Sequence, residues 1–326
     1  MSTPYKHYQR MKTVLITGAA GNLGGLLADH LKEEEDINLH LLYHHKTISA
    51  NLLNRSNIKA FQADLADKST LMKPLEGVDT IVHFAGVLFK ANPEKFLPLT
   101  NTTYFKNLTE VAVSSGVKRI ILISFPHVEG ESFPDSPACG TLDGTPTSSH
   151  ARTRLEEEKI LFGLKAQGIE TISLRVGMVY GKGILMIDTA RWFSKHHLLG
   201  VWTKPTWIHL ISTVDFLEST RQAILKDGVC GIYHLGDDGK QTLQEFLDLA
   251  TAHWGYRKPI RMPVGMILFA ASCFEFFSKI LGTRSPLTRD FIKIGMASYY
   301  GDTKRARQEL HGDLKYKTVK EGLETL

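Results

Sequence analysis

Val14-Leu15-Ile16-Thr17-Gly18-Ala19-Ala20-Gly21-Asn22-Leu23-Gly24 is the stretch that decides the fold. A short apolar run leads straight into three glycines spaced by three, and an amphipathic stretch, Leu23–Glu34, follows at once. The pattern is strand, tight turn, helix. Gly18 lets the chain leave the strand sharply. Gly21 removes a Cβ where backbone meets a diphosphate, and Gly24 lets helix and strand approach closely. Free N–H groups and the positive end of the helix dipole then face the phosphates. The backbone of Gly18, Ala20, Gly21, Asn22, Leu23 and Gly24 is the candidate cradle for a dinucleotide.

The same alternation continues outward. Apolar runs at Leu39–Tyr43, Thr80–Phe84, Ile120–Ser124 and Thr171–Arg175 predict further strands. Helical stretches at Ser69–Leu75, Thr102–Ser115 and Thr153–Gln167 lie between them. The runs are continuous, as in strands buried on both faces. Such βαβ alternation with right-handed crossovers predicts an α/β, Rossmann-type, doubly wound parallel sheet. Residues 132–149 (SFPDSPACGTLDGTPTSS) interrupt it as a long loop, a feature often tied to function. The expected division is a polar extension at 1–11, a dinucleotide-binding domain at 12–181 and a smaller C-terminal substrate lobe at 182–326. Ile208–Thr213 and Gly231–Gly236 are candidates to rejoin the main sheet.

Composition narrows the partners. The chain has 326 residues, 43% of them apolar, and a formal net charge of +5. No Lys/Arg block suggests nucleic-acid binding, while a mild positive field suits a phosphate-bearing cofactor or an anionic substrate. Cys139, Cys230 and Cys273 are scattered and form no CxxC pair, so reduced thiols in a cytoplasmic protein are expected, with no metal site. The adjacent pair His196-His197 points its rings apart and makes no metal site either. The most apolar segment, Val264–Phe274 with Phe276 and Phe277 beyond Glu275, is too short to span a bilayer. It is expected to form a buried or cleft-covering helix; a helix lying on a membrane surface is the lesser alternative.

The end of the second strand bears on cofactor choice. It reads Tyr43-His44-His45-Lys46, without the carboxylate that would accept hydrogen bonds from an adenosine ribose. His44 and Lys46 can instead attract a 2′-phosphate, so NADP(H) is expected over NAD(H). Asp64-Leu65, after the run Ala60-Phe61, is placed to meet the adenine, Asp64 accepting from its amino group; otherwise Asp64 caps a helix.

The ordered series resembles the extended short-chain dehydrogenase/reductase superfamily, in its NAD-dependent epimerase/dehydratase-like branch. It comprises the cradle, Asp64-Leu65, Val78–Gly86, Asn101, Asn107-Leu108, Gly116–Arg119, Arg175–Gly181 and Asp302–Leu310, and runs from about residue 12 to the C-terminus. The resemblance implies NAD(P) chemistry on a carbonyl or alcohol of a small molecule, with Ala85 and Gly86 lining the cofactor cleft. It makes a homodimer an expectation by analogy.

One departure matters. The resemblance implies a hydroxyl residue after the fifth strand and a Tyr-x-x-x-Lys pair on the next helix. Here the strand ends Ile123-Ser124-Phe125-Pro126-His127, and the helix begins His150-Ala151-Arg152-Thr153-Arg154. In one reading His150 replaces the tyrosine as general acid/base, with an unperturbed pKa of about 6.5. Arg154, one turn along, depresses that pKa and holds the ribose, while Ser124 or His127 binds the substrate oxygen. In the other, the helix keeps the fold and has lost the chemistry, and Arg154 only binds cofactor. His127, His150 and Arg154 together would be costly to desolvate without a ligand, which tilts toward activity. Glu156-Glu157-Glu158 is expected to be a solvated helix face, and His83 a satisfied core histidine. Three functions stay open: an oxidoreductase of a small carbonyl or alcohol, a non-catalytic NAD(P)-binding sensor or scaffold, and a nucleotide-sugar epimerase or dehydratase. The apolar C-terminal segment speaks mildly against the last.

Overall fold

The computed structural model describes residues 11–87, 92–280 and 288–326; of the extension expected at 1–11, only Met11 falls within them. The first half alternates β1 (Lys12–Thr17), α1 (Asn22–Leu31), β2 (Ile37–Tyr43), α2 (Ala50–Leu53), β3 (Ile58–Gln62) and α3 (Met72–Leu75). It goes on through β4 (Thr80–His83), α4 (Tyr104–Ser114), β5 (Arg119–Ser124), α5 (Ser149–Gly163) and β6 (Glu170–Val176). Next come β7 (Met178–Tyr180), α6 (Leu185–Lys195), β8 (Gly200–Trp202), β9 (Trp207–Ile208), β10 (Leu210–Ser212), α7 (Thr213–Leu225) and β11 (Gly231–Leu235). Then follow β12 (Gln241–Thr242), α8 (Leu243–His253), β13 (Ile260–Met262), α9 (Val264–Ile280), α10 (Arg289–Met296) and α11 (Lys304–Glu309).

Side-chain alternation along the strands builds two cores. Val14 and Ile16 of β1 enter one, with Ile121 and Ile123 of β5. Leu15, Ile120 and Leu122 enter the other. Both faces of these central strands are therefore buried, which is why their apolar runs are unbroken; edge strand β3 is half-exposed and reads IKAFQ. Helix α1 covers the first face with Leu27, Ala28 and Leu31 and meets α7 there. Helix α4 covers the second with Phe105, Leu108 and Ala112, beside α5.

The result is a seven-stranded sheet of order β11-β6-β5-β4-β1-β2-β3, all pairs parallel. After β3 the chain crosses back past β1 to form β4, so the order reverses between β1 and β4. The crevice at such a switch point, outside the carboxyl ends of the strands, is where ligands of open α/β sheets bind. Thr17 and His83 are register partners at that edge. The expected α/β doubly wound sheet is thus the observed fold. Gly231–Leu235 rejoins it beside β6, whereas Leu210–Ser212 pairs with β7 in a separate two-stranded sheet.

The loop before α5 is tied to the end of the chain. Ala138 bridges to Gly301, and the Ser132 N–H donates to the Ser298 carbonyl. Helix α9 departs from expectation. It is neither buried nor a cleft cover: only Ile267, Ala271 and Ser278 are buried, while Phe269 is 72% and Phe276 61% exposed. High apolar content predicts burial, but among the described residues only one face of this helix is packed. Among the described residues, no helix is long and apolar enough to cross a membrane.

The turn after β1 leaves no room for a side chain at position 24. A Cβ on Gly24 would lie 2.5 Å from the Gly18 carbonyl oxygen, backbone that cannot step aside. Gly163, at the end of α5, has open space around its Cβ position and helical φ −63. Gly24→Ala should lower stability by about 2 kcal/mol. Gly163→Ala should be neutral or stabilising by up to about 1 kcal/mol. Urea unfolding of the two variants tests the contrast.

Candidate active site

The cradle is assembled at the β1/β4 switch. Gly18 takes φ +68, a left-handed conformation, and its Cβ position faces the Ala85 N–H at 3.1 Å. The reason expected for Gly21, room for a ligand, is not its first constraint. A Cβ there would sit 2.9 Å from the Gly18 oxygen, so the turn itself demands glycine. Gly21 is the N-cap of α1 and offers no side-chain cap, which leaves the first-turn N–H groups of that helix for another acceptor. The Asn22 side chain is used within the chain: Oδ1 accepts from the Leu185 N–H at 3.0 Å and Nδ2 donates to the Gly183 carbonyl. Only its backbone is left for a ligand.

Thr17 joins the two strand ends. Its Oγ1 accepts from the N–H groups of Phe84 (3.2 Å) and Ala85 (3.3 Å) and lies 2.8 Å from Nδ1 of His83. With two donors already on the oxygen, its own hydrogen goes to Nδ1. Burial holds the His83 pKa well below its ordinary value, and the Arg154 charge adds to this, so the ring is neutral. His83 is the satisfied core histidine expected.

At the ends of β2 and β3, His44 and Asp64 face each other, Nε2 to Oδ2 at 3.6 Å, both largely exposed. Asp64 caps no helix: its Oδ1 accepts from the Ala66 N–H, and the helical turn that follows is capped by Asp67. Leu65 packs against the second core, and its carbonyl accepts from Asn107 at 2.9 Å. Lys46 is exposed nearby.

Helix α5 brings its first turns to the same crevice, started by Ser148, whose side chain accepts from the Ala151 N–H at 3.1 Å. Arg154 donates to the Ala85 carbonyl at 3.2 Å and to Glu157 at 2.6 Å. Its guanidinium covers Gly86, where a Cβ would fall 2.6 Å from Nη2. Ala85, Gly86 and Arg154 are therefore brought together beside the cradle. His150 is 7% exposed; its Nδ1 is buried and has no hydrogen-bond partner among the described residues. Burial lowers its pKa and the Arg154 charge lowers it further, against a hydrogen bond to the Val87 backbone and the charge of Asp290. His127 donates from Nε2 to the Ala297 carbonyl at 3.0 Å, which leaves Nδ1 as a buried acceptor without a donor among the described residues. Burial lowers its pKa too. Phe125 lies between the two rings, 5.3 Å from His127 and 6.4 Å from His150 by centroid.

The profile of the NAD dependent epimerase/dehydratase family matches residues 14–201, more than half of the chain. The chain belongs to this family. Uronate dehydrogenase of Pseudomonas putida is 30% identical over 198 residues, covering 57% of this chain and 68% of that enzyme. UDP-glucose 4-epimerase of Vibrio cholerae is 30% identical over 181 residues, 53% of each chain, so the match spans about half of that relative. In structure, the UDP-glucose 4-epimerase of Thermotoga maritima superposes with a TM-score of 0.74 over 96% of both chains, at 18% identity. That last likeness speaks for the fold alone.

Within this family fold, the third site residue expected after β5 has another engagement. Ser124 donates to Glu158, which also accepts from Ser173 (2.8 Å) and from Arg175 through Nε (3.0 Å) and Nη2 (2.6 Å). Arg175 reaches Glu129 as well, and Glu129 lies 3.3 Å from Nε2 of His234. Burial pushes Glu129 up, but the neighbouring His234 ring, the hydrogen bond from the Gly140 N–H and the Arg175 charge hold it at about 2. The glutamate triplet is thus no solvated face. Glu156 is exposed and pairs with Lys159 at 3.0 Å, but Glu157 and Glu158 are 0% exposed. Burial raises Glu157 to about 7 against the pull of Arg154. Sequence reasoning missed this cluster. Its signal was Arg175, a charge inside an otherwise apolar strand, which requires a buried partner.

Glu158→Ala should leave the Arg175 charge short of its main partner and cost about 3–5 kcal/mol, measured by urea unfolding. Glu129 contributes stability through its lowered pKa. That contribution is present above its ordinary 4.5 and is lost as pH falls from there toward about 2. Glu129→Gln should therefore show a flatter fall in urea midpoint across that window than wild type.

Proposed function

We propose that this chain is an NAD(P)-dependent oxidoreductase of a small alcohol or carbonyl substrate, with His150 moving the substrate proton. The observation that carries this reading is the uncapped amino end of α1 at the β1/β4 switch, with Arg154 anchored beside it on the Ala85 carbonyl. The backbone from Gly18 to Gly24 holds the diphosphate. Asp64 and Leu65 meet the adenine, Ala85 and Gly86 form the floor, and the N–H groups Arg154 has left bind the ribose hydroxyls. The bound nicotinamide supplies or accepts the hydride.

The chain's own task is the proton. A neutral imidazole with a free Nδ1 is a base, and burial keeps His150 neutral near pH 7. This favours the direction in which a substrate hydroxyl gives up its proton. Nδ1 of His127 offers a second buried acceptor, suited to another hydroxyl of the substrate. Ser124, bound to Glu158, supports the floor from below rather than touching substrate.

At the adenosine end, the reading is a preference for NADP(H), supported by His44, His45 and Lys46 with no carboxylate on β2. The exposed thiols Cys139 and Cys230 fit a reducing, cytoplasmic setting. Turnover of a nucleotide sugar is the second reading, favoured by the likeness to the Vibrio epimerase. The exposed face of α9 removes the argument against it, since those aromatics do not line a cleft.

His150→Ala should keep NADPH binding, followed by nicotinamide fluorescence, and lose turnover on a panel of alcohols, uronates and nucleotide sugars. In wild type the acid limb of kcat/KM should fall below pH 6.5, because the histidine pKa is lowered. Binding without turnover of any substrate by wild type would replace this reading with a cofactor sensor. Lys46→Glu should weaken NADPH about tenfold more than NADH, the size of one charge-assisted contact.

A further inference from the structure

Helix α9 carries its apolar residues on the wrong side for a globular protein. Ile267, Ala271 and Ser278 face the fold, with β8 and α10 packed against the helix. Met266, Phe269, Phe276, Phe277 and Ile280 recur at helical spacing on the opposite side and are 59–72% exposed. Cys273 falls on the same stripe, partly exposed. Single exposed apolar residues are ordinary, but a continuous stripe with three phenylalanines marks a docking face.

Charge says what docks there. Residues 257–296 hold seven Lys/Arg and two Asp/Glu, a surplus of five that equals the formal surplus of the whole chain. Arg257, Lys258, Lys279 and Lys293 are exposed around the helix. Lys258 is paired with Asp248 at 3.8 Å, and the two acids of the segment do not offset the others on the outer face. Glu275 is 11% exposed and held by Arg289 at 2.9 Å, and Asp290 acts on His150, toward the site. A second copy of this chain would bring like charge against like. An anionic bilayer answers both features, taking the phenylalanines among its acyl chains and the lysines and arginines among its headgroups. A helix of 17 residues is too short to cross, so it lies in the plane of the surface.

We propose that the α9 face seats this protein on anionic phospholipid membranes. The inference does not rest on the proposed reaction. Asp290, at the start of α10, links the two places, since the helix packed beneath the seated face also bears on His150.

The test is flotation of the full chain with phosphatidylcholine vesicles, with and without about one quarter phosphatidylglycerol. Binding should require the anionic lipid and fall in high salt. Phe269→Ser/Phe276→Ser should weaken it about tenfold or more, and Lys279→Glu/Lys293→Glu should do the same. All these positions are exposed, so unchanged thermal unfolding and NADPH binding should show both variants intact. No flotation with either vesicle overturns the proposal, as does equal flotation of the variants. A concentration-dependent dimer abolished by the phenylalanine variant, without lipid binding, also overturns it and makes the stripe a self-association surface.

Discussion

The carbonyl oxygen of Gly18 is crowded on every side by its own chain. The Cβ positions of Gly21 and Gly24 both fall within 3 Å of it, and the N–H of Gly21 donates to it at 2.8 Å. This close turn brings the first turn of α1 directly off the end of β1. It keeps side chains out of the space ahead of the helix, so the helix dipole and its unpaired N–H groups act on whatever enters. Thr17, one residue earlier, holds β4 in register and places Ala85 against Gly18. The cofactor floor and the cradle are consequences of one backbone constraint.

A second organising force is charge buried beneath that floor. Two adjacent glutamates of α5 point in different directions, Glu157 to Arg154 and Glu158 to Arg175. Buried ion pairs contribute little net stability, because desolvation offsets their attraction. What they give is orientation. Arg154 is held by a carboxylate on one side and a carbonyl on the other, which fixes its guanidinium beside the cradle. The same pairing keeps a positive charge close to His83 and His150, which reinforces what burial does to both rings.

Much of this was legible in the sequence, for physical reasons that also mark where legibility ended. The strands β1, β2, β4, β5 and β6 show as apolar runs because helices cover both sheet faces, whereas β3, at the sheet edge with Lys59 and Gln62 exposed, does not. The cradle shows because glycine is the only residue its turn accepts. Even so, the reason for Gly21 lay in backbone crowding, which no spacing rule reveals. Glu157 and Glu158 look like solvent-facing charge until their partners are known, and Arg175 is a strand and a turn away. Ser124 is near the expected place for a catalytic hydroxyl, yet whether it faces the crevice or the ion cluster depends on Glu158. In α9 the composition is apolar all round and gives no clue which face packs; only tertiary contacts distinguish Ile267 from Phe269.

The bond from His127 to the carbonyl of Ala297 spans 170 positions of the chain, and the loop before α5 is pinned to Ser298 and Gly301 in the same region. Every element of the dinucleotide cradle, by contrast, comes from the first 154 residues. During synthesis from the amino end the two are therefore acquired in sequence. A nascent chain that has emerged through α5 possesses the parts of its nucleotide cradle, while the ring of His127 has no anchor until the last stretch leaves the ribosome. The glycine turn is therefore complete before the His127 ring is held in place.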